Sequence, residues 1–239
     1  MKKILVVGCG KWGKILIKKL RLISKINSVL NSKVNYRSIN TKDVDWVFIL
    51  TPDKLHYGMV KFFLKKEINV FCEKPLADSY FKCLDLIKLS YKKKTKLYID
   101  DIENYKKKKI KILKDNYIIR TKNDTGSIKS LLNRLSYHDM YLLYPKLKKY
   151  KKLNIKIINS KNLLYFRLYN KSKNFNFIYS IKSNLRQHLI NKQNFQNFNV
   201  DPLNKMLNTV LYGKPNYKKN HYAALFASKI IENVKRKLQ

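Results

Sequence analysis

Acidic residues are scarce in this 239-residue chain: 15 Asp and Glu stand against 53 Lys and Arg, a formal net charge of +38. Such an excess ordinarily points to nucleic acid or an anionic membrane surface. Arginine is scarcer still, seven against 46 lysines spread from Lys2 to Lys237. Phosphate readers favour the bidentate arginine fork, and no stripe of arginine with aromatics is present. The charge therefore reads as a generic basic surface, with Asn, Ile, Tyr and Phe also abundant, the bias of an AT-rich genome. Attraction to nucleic acid is expected to be nonspecific and salt-sensitive. The three cysteines (Cys9, Cys72, Cys83) form no CxxC pair, and their odd number argues against a disulfide framework, which fits a reducing cytoplasm. Long apolar runs are missing too. The opening MKKILVVGC superficially mimics a lipoprotein signal, but its apolar stretch Ile4–Val7 falls short of the about 7–15 residues of a signal core. No run approaches the roughly 18 apolar residues of a membrane span. A cytoplasmic protein with no membrane contact is expected. His188 and His221 have no metal-ligand partners at recognisable spacing, so no metal is assigned.

What is present is an alternation. Residues 3–7 form a short apolar run, as in a buried parallel strand, followed at once by glycines and then by apolar residues at helical spacing (Ile15, Leu16, Leu20, Ile23). Strands are predicted at 28–30, 44–50, 68–72 and 96–100, with helices at 53–66 and 79–92 between them. Pro52 suits a helix's first turn, with Thr51 free to cap it. This pattern predicts a doubly wound parallel sheet. Past Asp101 the texture changes: a lysine-laden helix over 106–114, a strand over 117–121 and a mixed or helical stretch over 133–147 follow. Strand-like segments from 154 to 198 suggest an antiparallel sheet with one solvated face. Helices over 202–211 and 222–238 close the chain. The expected fold is α/β, a Rossmann domain over 1–101 followed by an α+β substrate and oligomerisation domain over 102–239, its sheet mainly antiparallel.

Four motifs carry chemistry. Gly8-x-Gly10-x-x-Gly13, with Lys11 and Trp12 inside it, follows a strand and opens a helix. In that context the first glycine permits the turn, the second admits a pyrophosphate to the backbone, and the third lets helix and sheet close up. A glycine-rich turn of another α/β fold is the plain alternative. Where NAD sites place a carboxylate for the ribose, this chain has Asn31-Ser32-Lys33, which would accept a 2′-phosphate and leans towards NADP. Thr51-Pro52 ends the third strand, and His56 lies about one turn into the next helix, either facing the crevice or supporting the loop. Glu73-Lys74-Pro75 ends the fourth strand, where a lysine can polarise or protonate a substrate oxygen beside a nicotinamide. A surface Glu-Lys pair is the alternative there. In the second domain His138-Asp139 sits on a predicted helix after Gly126, as an acid or base or as an ordinary half-buried histidine.

In this order, GCGKWG at 8–13, TPDKLH at 51–56, FCEKPLADS at 71–79, YIDDIENY at 98–105, SYHDMYLL at 136–143 and DPL at 201–203 resemble the glucose–fructose oxidoreductase and inositol dehydrogenase family, also called Gfo/Idh/MocA. The resemblance covers nearly the whole chain and is most specific at the EKP segment. It implies hydride transfer between NAD or NADP and a carbinol of a sugar, cyclitol or nucleotide sugar. By that likeness Lys74 is the catalytic lysine and His138 the histidine that works with it. Gly8, Gly10, Gly13, Thr51, Pro52, His56 and Glu73 match cofactor-contacting positions, and the second sheet implies a homo-oligomer. The chain departs from the pattern at Arg134 and Tyr141, where members usually carry aspartates four residues before and three after the histidine, and it is shorter than typical members. Those departures keep a second reading open, a nucleotide-binding member without turnover that serves as sensor or assembly partner.

Overall fold

The computed structural model describes residues 1–106, 109–123, 132–148, 154–159, 162–181, 183–196 and 201–238. The chain divides into two compact units, Met1–Asp101 with Leu203–Ser228, and Ile102–Pro202 with Lys229–Gln239.

The first unit is a five-stranded parallel sheet, β1 (Lys3–Val7), β2 (Lys25–Leu30), β3 (Trp46–Ile49), β4 (Asn69–Cys72) and β5 (Leu97–Ile99), in the order β2-β1-β3-β4-β5. Strands that bury both faces must be apolar throughout, and Ile4, Leu5, Val6, Val47, Phe48, Ile49, Val70, Phe71 and Leu97 are all fully buried. The rings of Phe48 and Phe71 stack at 4.6 Å across β3 and β4. Helices α1 (Lys11–Ile23), α2 (Asp53–Lys65) and α3 (Tyr80–Lys92) connect the strands. Ser79 caps α3 by accepting from Lys82 N at 3.3 Å. Thr51 does not cap α2. Pro52 holds that position without a side-chain bond, while the Thr51 hydroxyl donates to Met59 Sδ at 3.6 Å.

The expectation that everything after Asp101 belongs to one domain is corrected for residues 203–228. These include most of α5 (Pro202–Tyr212) and the first half of α6 (Tyr217–Lys237), which begins five residues earlier than its apolar pattern suggests. The physical reason is a set of side-chain bonds to β5. The Asn220 amide donates to Ile99 O at 2.8 Å and accepts from Ile99 N at 3.0 Å, and His221 Nε2 lies 2.7 Å from Leu97 O.

The second unit carries a six-stranded sheet in the order β11-β10-β6-β9-β8-β7, with β6 (Asp115–Lys122), β7 (Asn154–Asn159), β8 (Leu163–Tyr169), β9 (Asn174–Ile181), β10 (Gln187–Ile190) and β11 (Gln193–Asn194). It is mainly antiparallel; only β6 and β9 run parallel. Alternation fills its inner face with Leu164, Phe166, Leu168, Phe175, Phe177 and Tyr179, and Phe166 stacks on Phe177 at 4.7 Å. A π-turn (Leu132–Ser136) leads into α4 (Tyr137–Leu147), so the stretch expected to be mixed or helical is helical with an irregular start. The helix predicted over 106–114 is absent from its described part, 109–114. Its backbone is claimed by side chains of the sheet region: Asn116 accepts from Leu113 N at 2.9 Å and donates to Leu113 O at 3.0 Å, and Asn191 donates to Lys111 O at 2.9 Å. Gly126 lies outside the described residues.

Candidate active site

In the strand order β2-β1-β3 the connections leave β1 in opposite directions. Ligands of open α/β sheets bind at such a switch, outside the carboxyl ends of the strands. The glycine turn occupies that point. Gly8 adopts φ +107°, and a Cβ there would stand 2.6 Å from Leu50 O. A Cβ on Gly13 would stand 2.5 Å from Gly8 O. Both glycines are therefore required by the fold itself. Gly10 differs: a Cβ there would meet nothing within 4 Å. As the N-cap of α1 it has no side-chain cap bond, so the helix amides open onto free space that a side chain would fill. That space suits a pyrophosphate. Lys11 is exposed at the helix start, and the Trp12 indole N–H is buried without a hydrogen-bond partner among the described residues.

Gly8 N donates to Leu30 O at 2.8 Å, which sets the end of β2 beside this turn. Asn31 accepts from Lys33 N at 2.8 Å, and Asn31, Ser32 and Lys33 are all exposed, with no carboxylate among them. On the other side, Leu50 N donates to Val7 O at 2.8 Å and brings the segment after β3 alongside. His56 is buried, with Nε2 2.8 Å from Thr51 O and Nδ1 2.6 Å from Pro75 O. It bridges the segments after β3 and β4, the supporting role foreseen as one of its two readings.

Glu73 N donates to Ile49 O at 2.9 Å, and the Glu73 carboxylate turns back to accept from the amide of Lys74. Burial pushes the Glu73 carboxyl up from its ordinary 4.5, against the opposing pull of Lys74 and His56. Lys74, half-buried and joined to Pro75 by a cis peptide bond, thus stands on a backbone fixed from three sides: Ile49, its own neighbour's carboxylate, and His56. Gly8, Gly10, Thr51, Glu73 and Lys74 lie at the carboxyl ends of β1, β3 and β4, and Gly13 and His56 in the first turns of the helices that follow β1 and β3.

His138 is half-buried in the first turn of α4, in the second unit. Arg134 is exposed on the π-turn and Tyr141 is buried. Asp139 is fully buried, and both its oxygens accept from Arg120 Nε, at 3.0 and 2.9 Å, with Arg120 Nη2 at 2.9 Å. The Tyr179 hydroxyl donates to it at 2.9 Å, and His188 Nε2 lies 2.9 Å away. Glu103 and Lys106 extend the cluster, with Lys106 Nζ 2.9 Å and Arg120 Nη2 3.4 Å from the Glu103 oxygens. Burial alone would raise Asp139, yet Arg120 and His188 hold it well below the usual carboxylate range; Arg120 is held above its ordinary value by Asp139 and Glu103. Sequence reasoning missed this cluster. Its one local signal is the alternation of β6, which puts Arg120 on the same inward row as Asn116 and Ile118.

Residues 23–100 match the family described as "Oxidoreductase family, NAD-binding Rossmann fold". That segment resembles the NAD-binding domain of the Gfo/Idh/MocA oxidoreductases. A 50-residue segment, 21% of the chain, is 44% identical to 2,7-anhydro-N-acetylneuraminate hydratase of Escherichia coli (strain K12), but it spans only 13% of that protein. Among solved structures, UDP-N-acetylglucosamine 3-dehydrogenase GnnA from Acidithiobacillus ferrooxidans superposes with a TM-score of 0.81 at 15% identity, over 98% of this chain and 96% of that one. The WlbA (WbpB) dehydrogenase from Thermus thermophilus, solved with NAD and UDP-GlcNAcA, gives 0.73 at 12% identity over 97% and 95%. These likenesses show that both units follow the Gfo/Idh/MocA fold. The matched segment supports NAD(P) binding by the first unit. No helix among the described residues is long and apolar enough to cross a membrane.

Proposed function

We propose that the protein is an NAD(P)-dependent dehydrogenase that transfers a hydride between the nicotinamide and a carbinol of a sugar, cyclitol or nucleotide sugar. The observation that carries this reading is the pairing of open space at Gly10 with a braced Lys74 two strands along the same sheet end. Gly8, Gly10, Gly13, Lys11 and Trp12 hold the dinucleotide, with Thr51, Pro52, His56 and Glu73 shaping the next strand ends. The cofactor supplies hydride chemistry when bound. Lys74 holds the substrate oxygen and exchanges its proton, and His138 serves as the partner acid or base. Asn31, Ser32 and Lys33 accept either cofactor and lean to NADP, because no carboxylate repels a 2′-phosphate.

The similar dehydrogenases whose names specify UDP sugars support a nucleotide sugar as substrate; a cytoplasmic site of action is part of the same proposal. The basic surface gives no specific nucleic-acid role. The outer face of the second sheet, with Tyr117, Ile158 and Leu163 exposed, is the surface for a homo-oligomer.

NADH and NADPH titrations followed by fluorescence, then hydride-transfer assays on UDP sugars and inositols, test the reading. Binding of either cofactor together with turnover lost in Lys74→Ala is the expected result. Turnover that survives Lys74→Ala would sink the assigned chemistry. Binding with no turnover on any substrate would favour the sensor, a reading motivated by Arg134 and Tyr141.

A further inference from the structure

The proposed acid or base His138 has a next-door neighbour whose side chain is tied to the sheet of the second unit by contacts to three strands. Arg120 is the centre of this arrangement. Its register partners are His188 on β10 and Tyr179 on β9, so the three side chains form one row across the middle of the sheet. All three converge on the Asp139 carboxylate, with donor or ring-nitrogen distances of 2.9–3.0 Å. An Nε–H shared between both carboxylate oxygens, with Nη2 2.9 Å from one of them, restricts geometry in a way a lysine ammonium does not. Glu103 stands 3.4 Å behind the guanidinium and Lys106 stands 2.9 Å from Glu103, so the buried charges balance two against two.

A buried ion pair of this kind is poor evidence for stability, since apolar residues often do as well; registry is its better-attested use. The entry to α4 gives registry something to decide. Five residues of π-turn, Leu132–Ser136, precede the helix without a side-chain cap at Ser136. A π-turn shifts the phase with which the α-helix begins, so contacts of the first turn's own side chains help set its rotation. Successive helical residues point about 100° apart, so fixing Asp139 in the first turn fixes the direction of His138.

We propose that Arg120 and Asp139, with Tyr179 and His188, are positioning residues that set the orientation of His138 for catalysis. The proposal rests on the reading of His138 given above. Arg120 and Asp139 touch neither substrate nor cofactor in this scheme; they act through the rotation of α4.

The test compares wild type with Lys74→Ala, His138→Asn, Asp139→Asn and Arg120→Lys, the whole chain in each case, in one hydride-transfer assay with NAD(P)H binding measured separately. Asp139→Asn and Arg120→Lys are each expected to lower kcat at least about tenfold, the scale of a small misplacement of a reacting group, with the cofactor Kd within about twofold of wild type. Labelled-histidine NMR supplies a readout independent of turnover. With four histidines in the chain, the His138 ring resonance should move or broaden in Asp139→Asn while that of His56 stays in place. A merely structural pair would lower the melting temperature and leave kcat per folded molecule, and the His138 resonance, unchanged. That result would overturn the proposal while leaving the dehydrogenase reading intact. Unimpaired turnover in His138→Asn would instead remove the reading of His138, and the proposal with it, while survival in Lys74→Ala would sink the assigned chemistry. Should Asp139→Asn fail to fold, Tyr179→Phe removes a single hydroxyl from the carboxylate and should lower kcat severalfold; an unchanged value there overturns the proposal equally.

Discussion

The two units solve the same problem, fixing a functional group in space, with opposite materials. In the first, the decisive atoms are missing ones: Gly8 and Gly13 bring backbone against backbone where no side chain fits, and Gly10 leaves a gap at the switch point. In the second, the decisive atoms are charged and buried: Arg120, Asp139, Glu103 and Lys106 neutralise one another inside the fold. The absent side chains all fall within one six-residue motif, residues 8–13. The ion pairs do not, and their cost surfaces only when a partner is lost.

The sharpest way to break the comparison is to remove one charge. Arg120→Met or Asp139→Leu alone strands a buried ion and should cost about 3–5 kcal/mol, whereas the double variant should return close to wild-type stability. Urea unfolding by far-UV circular dichroism measures the cycle, and additive single costs would show that the pair is not coupled. Next in size is Gly8→Ala, which forces a Cβ onto Leu50 O at positive φ and should cost about 2–4 kcal/mol. Gly10→Ala is its control. It should change stability by less than about 0.5 kcal/mol and still weaken NAD(P)H binding, because the methyl enters the ligand's space. The readout is tryptophan fluorescence, which reports only the first unit because Trp12 and Trp46 are the chain's two tryptophans. Smaller again, His56→Ala leaves Thr51 O and Pro75 O without their partner and should cost about 1–3 kcal/mol. It should also reduce turnover through Lys74 more than it reduces cofactor affinity.

The smallest effect is pH. Burial lowers His221 below its ordinary 6.5, despite the bond to Leu97 O. A group with a depressed folded value contributes stability above its unfolded value and loses it as pH falls, so this contribution in the first unit declines below about 6.5. In the second unit Glu103 and Asp139 are also depressed, from 4.5 and 3.8, by Arg120 and their other cationic neighbours acting against burial. Their contribution survives until pH falls below those values. Between pH 7.5 and 5.5 the His221→Asn variant should therefore show a flatter melting profile than wild type. An identical slope would mean that His221 does not titrate in that window. Glu73, raised by burial, acts in the reverse sense and gains as pH falls through its folded value.

Legibility followed the same division. β1, β3 and β4 can be read because buried parallel strands are uninterrupted apolar runs, and the glycine turn because its three glycines fall in one six-residue stretch between a strand and a helix. The place of Lys74 just past the end of β4 can be read from the same pattern. The helix expected over 106–114 failed because Asn116 and Asn191, from elsewhere in the sheet region, take the backbone groups a helix would use. The Thr51 cap failed because Pro52 already occupies that position. Arg120 gives only the weak signal of its inward place in β6; one arginine in a strand looks like a surface residue until Asp139, Tyr179 and His188 are brought round it from distant parts of the chain. The parallel pairing of β6 with β9, inside an otherwise antiparallel sheet, is equally invisible to local pattern.

The Asn220 side chain has one more consequence. By offering a carboxamide that donates and accepts like a peptide unit, it occupies Ile99 on the free side of the last strand. The nucleotide-binding unit is therefore stitched shut by a piece of chain encoded more than a hundred positions downstream. A fragment ending at Asp101 would expose a bare strand margin, ready to pair with its own kind, and should precipitate where the intact chain remains dispersed.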